Sequence, residues 1–302
     1  MAFLKYTDLP IFANFIDQTS LPNTVSAQHL FAATDASVSL DASVATSRFL
    51  ASKPAMLIAN GPLEAKLSFS FYPMIEVSNT NERLNVQKQN QRNFFGLTGD
   101  FANGHNIQFS NFLFKKTYLQ NYSIKINPYQ PVVVTANMVS YDISEIEGRT
   151  LDSFGKTYEI SSDPEKPRYE ALHGLTTSID SLSQTNILPK TKTSIEINVD
   201  CQRTPIYTLG SKFPDSVVLN TVERTTTVQG ENVNSIMDIN GKEVRDLNVL
   251  FLPLSSLGKE LSNATTRDIL NFNINGKIIS QQLSVAQNSS LNGRIIIKDI
   301  IL

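Results

Sequence analysis

The sequence predicts an all-β protein of two tandem β-sandwich- or barrel-like domains with long hairpins, related by an internal duplication. Three observations carry that expectation. Leu63 to Tyr72 (LEAKLSFSFY) alternates without a slip. Leu63, Ala65, Leu67, Phe69 and Phe71 fall on one face, and Glu64, Lys66, Ser68 and Ser70 on the other. A strand with one covered face imposes that period of two. Tyr118 to Ile143 (YLQNYSIKINPYQPVVVTANMVSYDI) reads as a long hairpin turning at Asn127-Pro128-Tyr129-Gln130-Pro131. Finally, a series of features in the first half returns in the same order in the second, and a fixed spacing is the signature of a repeat.

In chain order, residues 1–30 form an arm interrupted by Pro10 and Pro22. Prolines so placed oppose a long helix, and Phe3, Leu4, Phe12, Phe15 and Ile16 predict packing on the same chain or on a neighbour. The first domain is expected over 31–147. From Asp35 the period becomes two, with Val38 and Leu40 opposite Ser39 and Asp41. Ser52-Lys53-Pro54 is a break, Ala55–Ile58 a short strand, and Asn60-Gly61-Pro62 a turn. The polar stretch 79–91 has no strong period, and Phe94 to Phe114 returns to strand-like runs punctuated by glycines. In the hairpin, Tyr118, Tyr122, Ile124 and Ile126 alternate after a slip near Leu119. Val132, Val134, Ala136, Met138 and Ser140 line one face of its second strand.

Gly148, Gly155, Asp163-Pro164 and Lys166-Pro167 carry turn chemistry and place a linker over 148–170. The second domain follows over 171–302. Ile195 and Ile197 stand for Val38 and Leu40, and Arg203 for Arg48. Pro214 stands for Pro54 and Glu223 for Glu64, and the strand–turn–strand of Ile278 to Ile300 stands for the hairpin. Ile195 lies 157 residues after Val38 (195 − 38), and Ser284 lies 161 after Ser123 (284 − 123). A short helix after Pro253 and a hairpin turn at Asp238-Ile239-Asn240-Gly241 are the expected departures.

Composition narrows the function. Charged residues are 18% of the chain, below the usual quarter, so the surface is largely Asn, Gln, Ser and Thr. A net charge of −2 argues against a nucleic-acid glove or a polybasic membrane patch. No apolar run approaches the roughly 18 residues of a spanning helix, and the N-terminal stretch shows no signal-peptide pattern. With a single cysteine, Cys201, there is no internal disulfide framework. The glycosylation-like triplets at Asn121, Asn263 and Asn288 read as chance matches in an Asn-rich chain.

His29, His105 and His173 show no metal-ligand spacing to one another or to Cys201. His173 reads as a half-buried histidine, and Cys201 as a small buried hydrophobe in a strand. Glu64 and Glu223 occupy equivalent positions on polar strand faces and read as solvated or interfacial charges. Arg48 and Arg203 read as candidates for ion pairs between subunits. No G-x-S-x-G, P-loop or G-x-G-x-x-G is present. No catalytic, cofactor-binding or metal residue is nominated, and an enzyme is not expected.

The paired stretches YLQNYSIKINPYQPVVVTANMVSYD and VDCQRTPIYTLGSKFPDSVVLNTVERTTTVQGE resemble the two-domain virion structural proteins of tailed bacteriophages, in the tail-tube-like group. The resemblance covers roughly residues 36–302. It implies a structural virion protein of the tail tube, baseplate hub or neck, assembled in the host cytoplasm. It further implies self-association into a ring, as a trimer of two-domain chains or a hexamer, contacts with neighbouring tail proteins, and DNA passing through without sequence-specific binding. No membrane partner is expected. A capsid decoration or receptor-binding protein is the alternative, and a cell-envelope hydrolase a more distant one.

Overall fold

A computed structural model describes residues 11–14, 28–47, 56–77, 94–95, 104–109, 112–145, 168–176, 191–231, 243–253, 270–285 and 291–301. The polar stretch 79–91, most of the linker, Arg48, the Ser52-Lys53-Pro54 break, the segment after Pro253 and the turns at Asp238–Gly241 and Asn288–Ser290 lie outside them. Among the described residues the chain forms β1 (Ile11–Asn14), β2 (Gln28–Ser47), β3 (Met56–Tyr72), β4 (Met74–Val77), β5 (His105–Phe109), β6 (Phe112–Ile126) and β7 (Val133–Ser140). There follow β8 (Asp142–Glu145), β9 (Arg168–Thr176), β10 (Thr191–Ile206), β11 (Ser216–Glu231), β12 (Glu243–Pro253), β13 (Leu270–Ser284) and β14 (Asn292–Ile300). The protein is all-β. Every strand pairing is antiparallel, and the strands belong to one connected sheet.

The alternation in β3 has its physical cause in the core. Ala65, Leu67, Phe69 and Phe71 are buried, while Lys66 is exposed and Glu64, Ser68 and Ser70 are half-buried. Asn60-Gly61-Pro62, expected as a turn, lies inside β3 instead. Ala42 faces Leu63 and Val44 faces Asn60, so Gly61 and Pro62 sit opposite Ser43 alone. A bulge absorbs a glycine and a proline that a regular ladder would reject. Phe94 and Phe95, expected in an extended run, have helical backbone and are buried.

The β6–β7 hairpin forms as its alternation predicts. The slip near Leu119 is a register shift between Leu119 and Asn121. At the tip, the Gln130 amide donates to the Asn127 carbonyl at 3.4 Å, and Tyr129 has φ of 60°. Proline followed by a left-handed residue is a type II turn, here with a fully exposed tyrosine where glycine is usual.

Two features position everything else. In the first half the pairings close on themselves: β1 with β2, β2 with β3, β3 with β7, β7 with β6, β6 with β5 and β5 with β1. The second half runs β10–β11–β14–β13–β12–β9. Within these, the order β2–β3–β7–β6 is matched by β10–β11–β14–β13, and the registers coincide at a single spacing. Ala36 faces Phe69 and Ile195 faces Val228 (195 − 36 and 228 − 69 are both 159). Phe69 faces Ala136 and Val228 faces Ile295 (295 − 136 = 159). Tyr122 faces Ala136 and Gln281 faces Ile295 (281 − 122 = 159).

Two of the irregularities keep the same spacing, while the shift between Ala45 and Thr46 has no counterpart in the β10–β11 ladder. The shift between Ala33 and Asp35 is matched between Lys192 and Ser194, and the one between Leu119 and Asn121 between Ile278 and Ser280. One spacing of 159 therefore replaces the spread of 157 to 161. It moves the counterpart of Val38 from Ile195 to Ile197, and that of Arg203 from Arg48 to Val44. Val285, expected in a strand, lies just beyond β13 and is exposed.

Among the described residues most buried hydrophobic side chains form one continuous cluster that draws on both halves. An aromatic chain crosses between them: Phe71–Phe94 (centroids 5.9 Å), Phe94–Phe95 (5.0 Å), Phe95–Phe272 (5.4 Å) and Phe272–Phe251 (5.3 Å). The Tyr122 hydroxyl donates to the Phe95 carbonyl at 2.9 Å, which satisfies a polar atom that burial would otherwise penalise. Each wholly buried phenylalanine contributes about 1.5–3 kcal/mol.

β9 adds a second seam. The Leu172 amide donates to the Pro73 carbonyl and the Leu172 carbonyl accepts from Val132, both at 2.8 Å. At this seam Gly174 lies against Ile126, so close that a Cβ there would overlap Ile126 Cγ2. Gly174→Ala is expected to destabilise the protein by about 1–3 kcal/mol through overpacking, read by urea unfolding. Gly210→Ala is the control. Gly210 has φ of +85° but nothing near its missing Cβ, so only the smaller cost of a left-handed alanine, about 1–2 kcal/mol, applies.

Candidate functional site

Among the described residues no three His, Cys, Asp or Glu side chains gather as a metal would require. The residues singled out from the sequence are dispersed. Glu64 is on β3 and Glu223 on β11, with β7, β6 and β10 between them. Along the sheet their strands are four steps apart. Each faces an aspartate across its own hairpin, Asp41 and Asp200. Lys66 binds Asp41 at 2.7 Å, and Lys298 binds Glu223 at 2.9 Å.

His173 is buried on β9, with Nδ1 3.2 Å from the Ala171 carbonyl, and its backbone bridges to Pro131. It belongs to the seam between the halves. The backbones of His29 and His105 lie in β2 and β5. Cys201 is buried on β10 opposite Val222. Burial pushes its thiol up from the ordinary 9.0 to about 11, against a smaller opposing pull from Arg203.

Arg203 is committed within its own chain. Its Nε donates to the Leu119 carbonyl at 3.1 Å, and its guanidinium lies 5.4 Å over the Tyr118 ring. Tyr118, Val139 and Tyr141, with Val217 against them, make a small apolar cluster apart from the main core. Tyr207 meets Tyr141 edge-on at 6.4 Å. Burial and then Glu64 raise the Tyr141 phenol to about 12. The loop joining β10 to β11 leaves Leu209 wholly exposed, with Tyr207 and Phe213 partly so.

What the geometry does build is an edge-to-edge join. The last third of β6 uses both edges at once. Asn121–Lys125 pair with Asn137–Val133 of β7, and Asn121–Ile126 pair with Asp200–Ile195 of β10. Ile126 faces Ile195, Ile124 faces Ile197 and Tyr122 faces Val199, and all six side chains are buried. Glu196 stands opposite Lys125 on the outer face. Cross-strand apolar and opposite-charge pairs each contribute about 0.2–1 kcal/mol. Sequence reasoning finds both strands of this join but not their meeting, because nothing local specifies which edge receives which strand.

No family model and no curated protein matches the chain. Several solved structures are similar, among them two from particle tails or hubs. One is the tail of an empty GTA particle with C6 symmetry, at 12% identity and a TM-score of 0.33, covering 47% of this chain and 98% of that one. The other is the SPP1 Dit protein, described as a paradigm of hub adsorption apparatus in phages infecting Gram-positive hosts. It matches at 8% identity and a TM-score of 0.26, covering 97% of this chain and 99% of that one. The structural neighbours are thus a particle tail and a phage hub protein, the group that the sequence resembles. TM-scores this low carry no weight beyond the likeness itself.

The buried thiol and phenols fix a pH response. Cys201, Tyr141 and Tyr122 hold their protons more tightly folded than unfolded. Their contribution to stability is therefore complete below the unfolded values and is lost as pH rises through the folded ones. The unfolding midpoint is expected to fall progressively above about pH 9. At pH 8 Cys201 should react with a thiol reagent only at the rate of unfolding. Rapid labelling of native protein would place the thiol at the surface.

Proposed function

We propose that the chain is a structural protein of a tailed-phage particle, duplicated from one ancestral β unit, that assembles into a ring or tube of the tail or baseplate hub. The observation that carries this reading is the repeated register. Two units with the same strand order, the same register over most of their ladders and two register shifts in common, 159 residues apart, are joined edge to edge in one sheet. A shared strand order alone is common among β proteins. A shared register with shared bulges is what descent from one unit leaves behind.

The chemistry supports a role for the surface rather than for a reaction. Among the described residues His173 serves the seam, Arg203 binds the Leu119 carbonyl, Glu223 pairs with Lys298, and no three His, Cys, Asp or Glu side chains gather. The near-neutral, Asn/Ser/Thr-rich composition suits a wall past which DNA moves without being held, since phosphate affinity comes from Lys and Arg. Three chains would present six similar units, and the virion is the expected location.

Negative-stain electron microscopy of the purified protein, with mass measured alongside, tests the reading. Rings or stacked tubes with a central hole, built from three or six chains, are expected. Compact solid trimers would replace it with capsid decoration or receptor binding, and a monomer that persists at high concentration would overturn assembly altogether.

A further inference from the structure

The join between β6 and β10 has a counterpart at which, among the described residues, no strand pairs. Shifted by 159 residues, β10 becomes β2 and the end of β6 becomes the end of β13. Over Ala36–Asp41, β2 pairs with β3 on one edge, and among the described residues no strand pairs with the other. Over Ser280–Ser284, β13 pairs with β14 on one edge, and β12 reaches no further than Lys277 on the other. The counterparts of these two edges, 159 residues away, meet inside the chain.

Burial differs accordingly. At the internal join Val199 is 1% exposed and Ile126 6%, whereas their counterparts Leu40 and Val285 are 55% and 69% exposed. Val38 and Leu283 are half-buried where Ile197 and Ile124 are wholly buried. An apolar strand edge left in water is a template for another chain.

From this we infer that the β13 edge of one copy receives the β2 edge of the next, antiparallel, in the register of the internal join. Ile126–Ile195 translates to Val285–Ala36, Ile124–Ile197 to Leu283–Val38, Lys125–Glu196 to Ser284–Ser37, and Ser123–Asn198 to Gln282–Ser39. Each copy offers one edge of each kind, so the contact is head-to-tail, and its repetition closes a ring or extends a filament. The inference rests on the assembly reading above and names its partner surface: a second copy of this chain, held by six residues on each side.

Paired cysteines test the register. Ser37, Ser39, Gln282 and Ser284 are all exposed, so their replacement leaves the fold intact, and buried Cys201 is the silent background. Under mild oxidation, Ser37→Cys/Ser284→Cys is expected to give a ladder of covalent dimers and larger species. Ser37→Cys/Gln282→Cys, displaced by two residues, should give about ten-fold less, because diagonal neighbours stand about 7–8 Å apart while a disulfide needs a Cβ separation near 4 Å. Equal cross-linking of the two variants, or none in either, would overturn the pairing. Rings in micrographs without in-register cross-linking would remove this interface and keep the ring. In-register cross-linking in open filaments would keep the interface and remove the ring.

Discussion

The structure depends on one strand being paired on both edges near each of its ends. β6 holds β5 and β8 with its first residues and β7 and β10 with its last. The irregular backbone between the two sets makes the exchange possible. Lys116 takes a left-handed φ of 47°, its amide is met by Asn106 Oδ1 at 3.1 Å, and the register to β7 slips between Leu119 and Asn121. A regular fifteen-residue strand would present one pair of neighbours throughout. The interrupted one closes the first half upon itself and still offers a fresh edge to the second.

The two halves share register over most of their ladders while their core pairs differ in a volume-conserving way. Phe69 faces Ala136 in the first half, and Val228 faces Ile295 in the second. A large–small pair stands where the other half has two residues of middle size, a difference that keeps core volume. Ala65 opposite Ser140 corresponds to Arg224 opposite Asp299, which meet at 2.7 Å with both side chains largely covered. Buried ion pairs add little stability but penalise wrong partners. The second half therefore carries a discriminating contact where the first has small, neutral side chains. The position of Leu67 is taken by Thr226, equally buried.

Much of this was legible in the sequence, for a physical reason. A sheet with one covered face forces period-two alternation, and β3, β7 and β10 display it residue by residue. The Asn127–Pro131 turn is legible because proline and a following left-handed residue define it. What eludes the sequence is non-local. Asn60-Gly61-Pro62 carries turn chemistry, yet the long ladder between β2 and β3 overrides it and makes it a bulge. β9 has no clean alternation, and its extended form is imposed by Pro73, Val132 and β12. The spacing between the halves scatters when judged by similar letters, because Tyr122-Ser123-Ile124 resembles Leu283-Ser284-Val285 by accident. Hydrogen-bond register aligns it with Gln281-Gln282-Leu283 instead. Of the candidate site, the strands could be read and their meeting could not, since either edge of either strand would satisfy the same pattern.

The internal join also sets a schedule for biosynthesis. Everything in the closed circuit of the first half is made before β10 exists, and about 70 residues separate Ile126 from Ile195. At about 5–20 residues per second, a ribosome needs several seconds to span that gap. Throughout that interval the end of β6 is an apolar edge without its proper occupant, while finished copies nearby carry a β2 edge that no described strand pairs over Ala36–Asp41. A nascent chain is thus exposed to capture by the wrong strand. Crowding of ribosomes on one message would raise that hazard, and rapid synthesis of the segment from 127 to 195 would lower it.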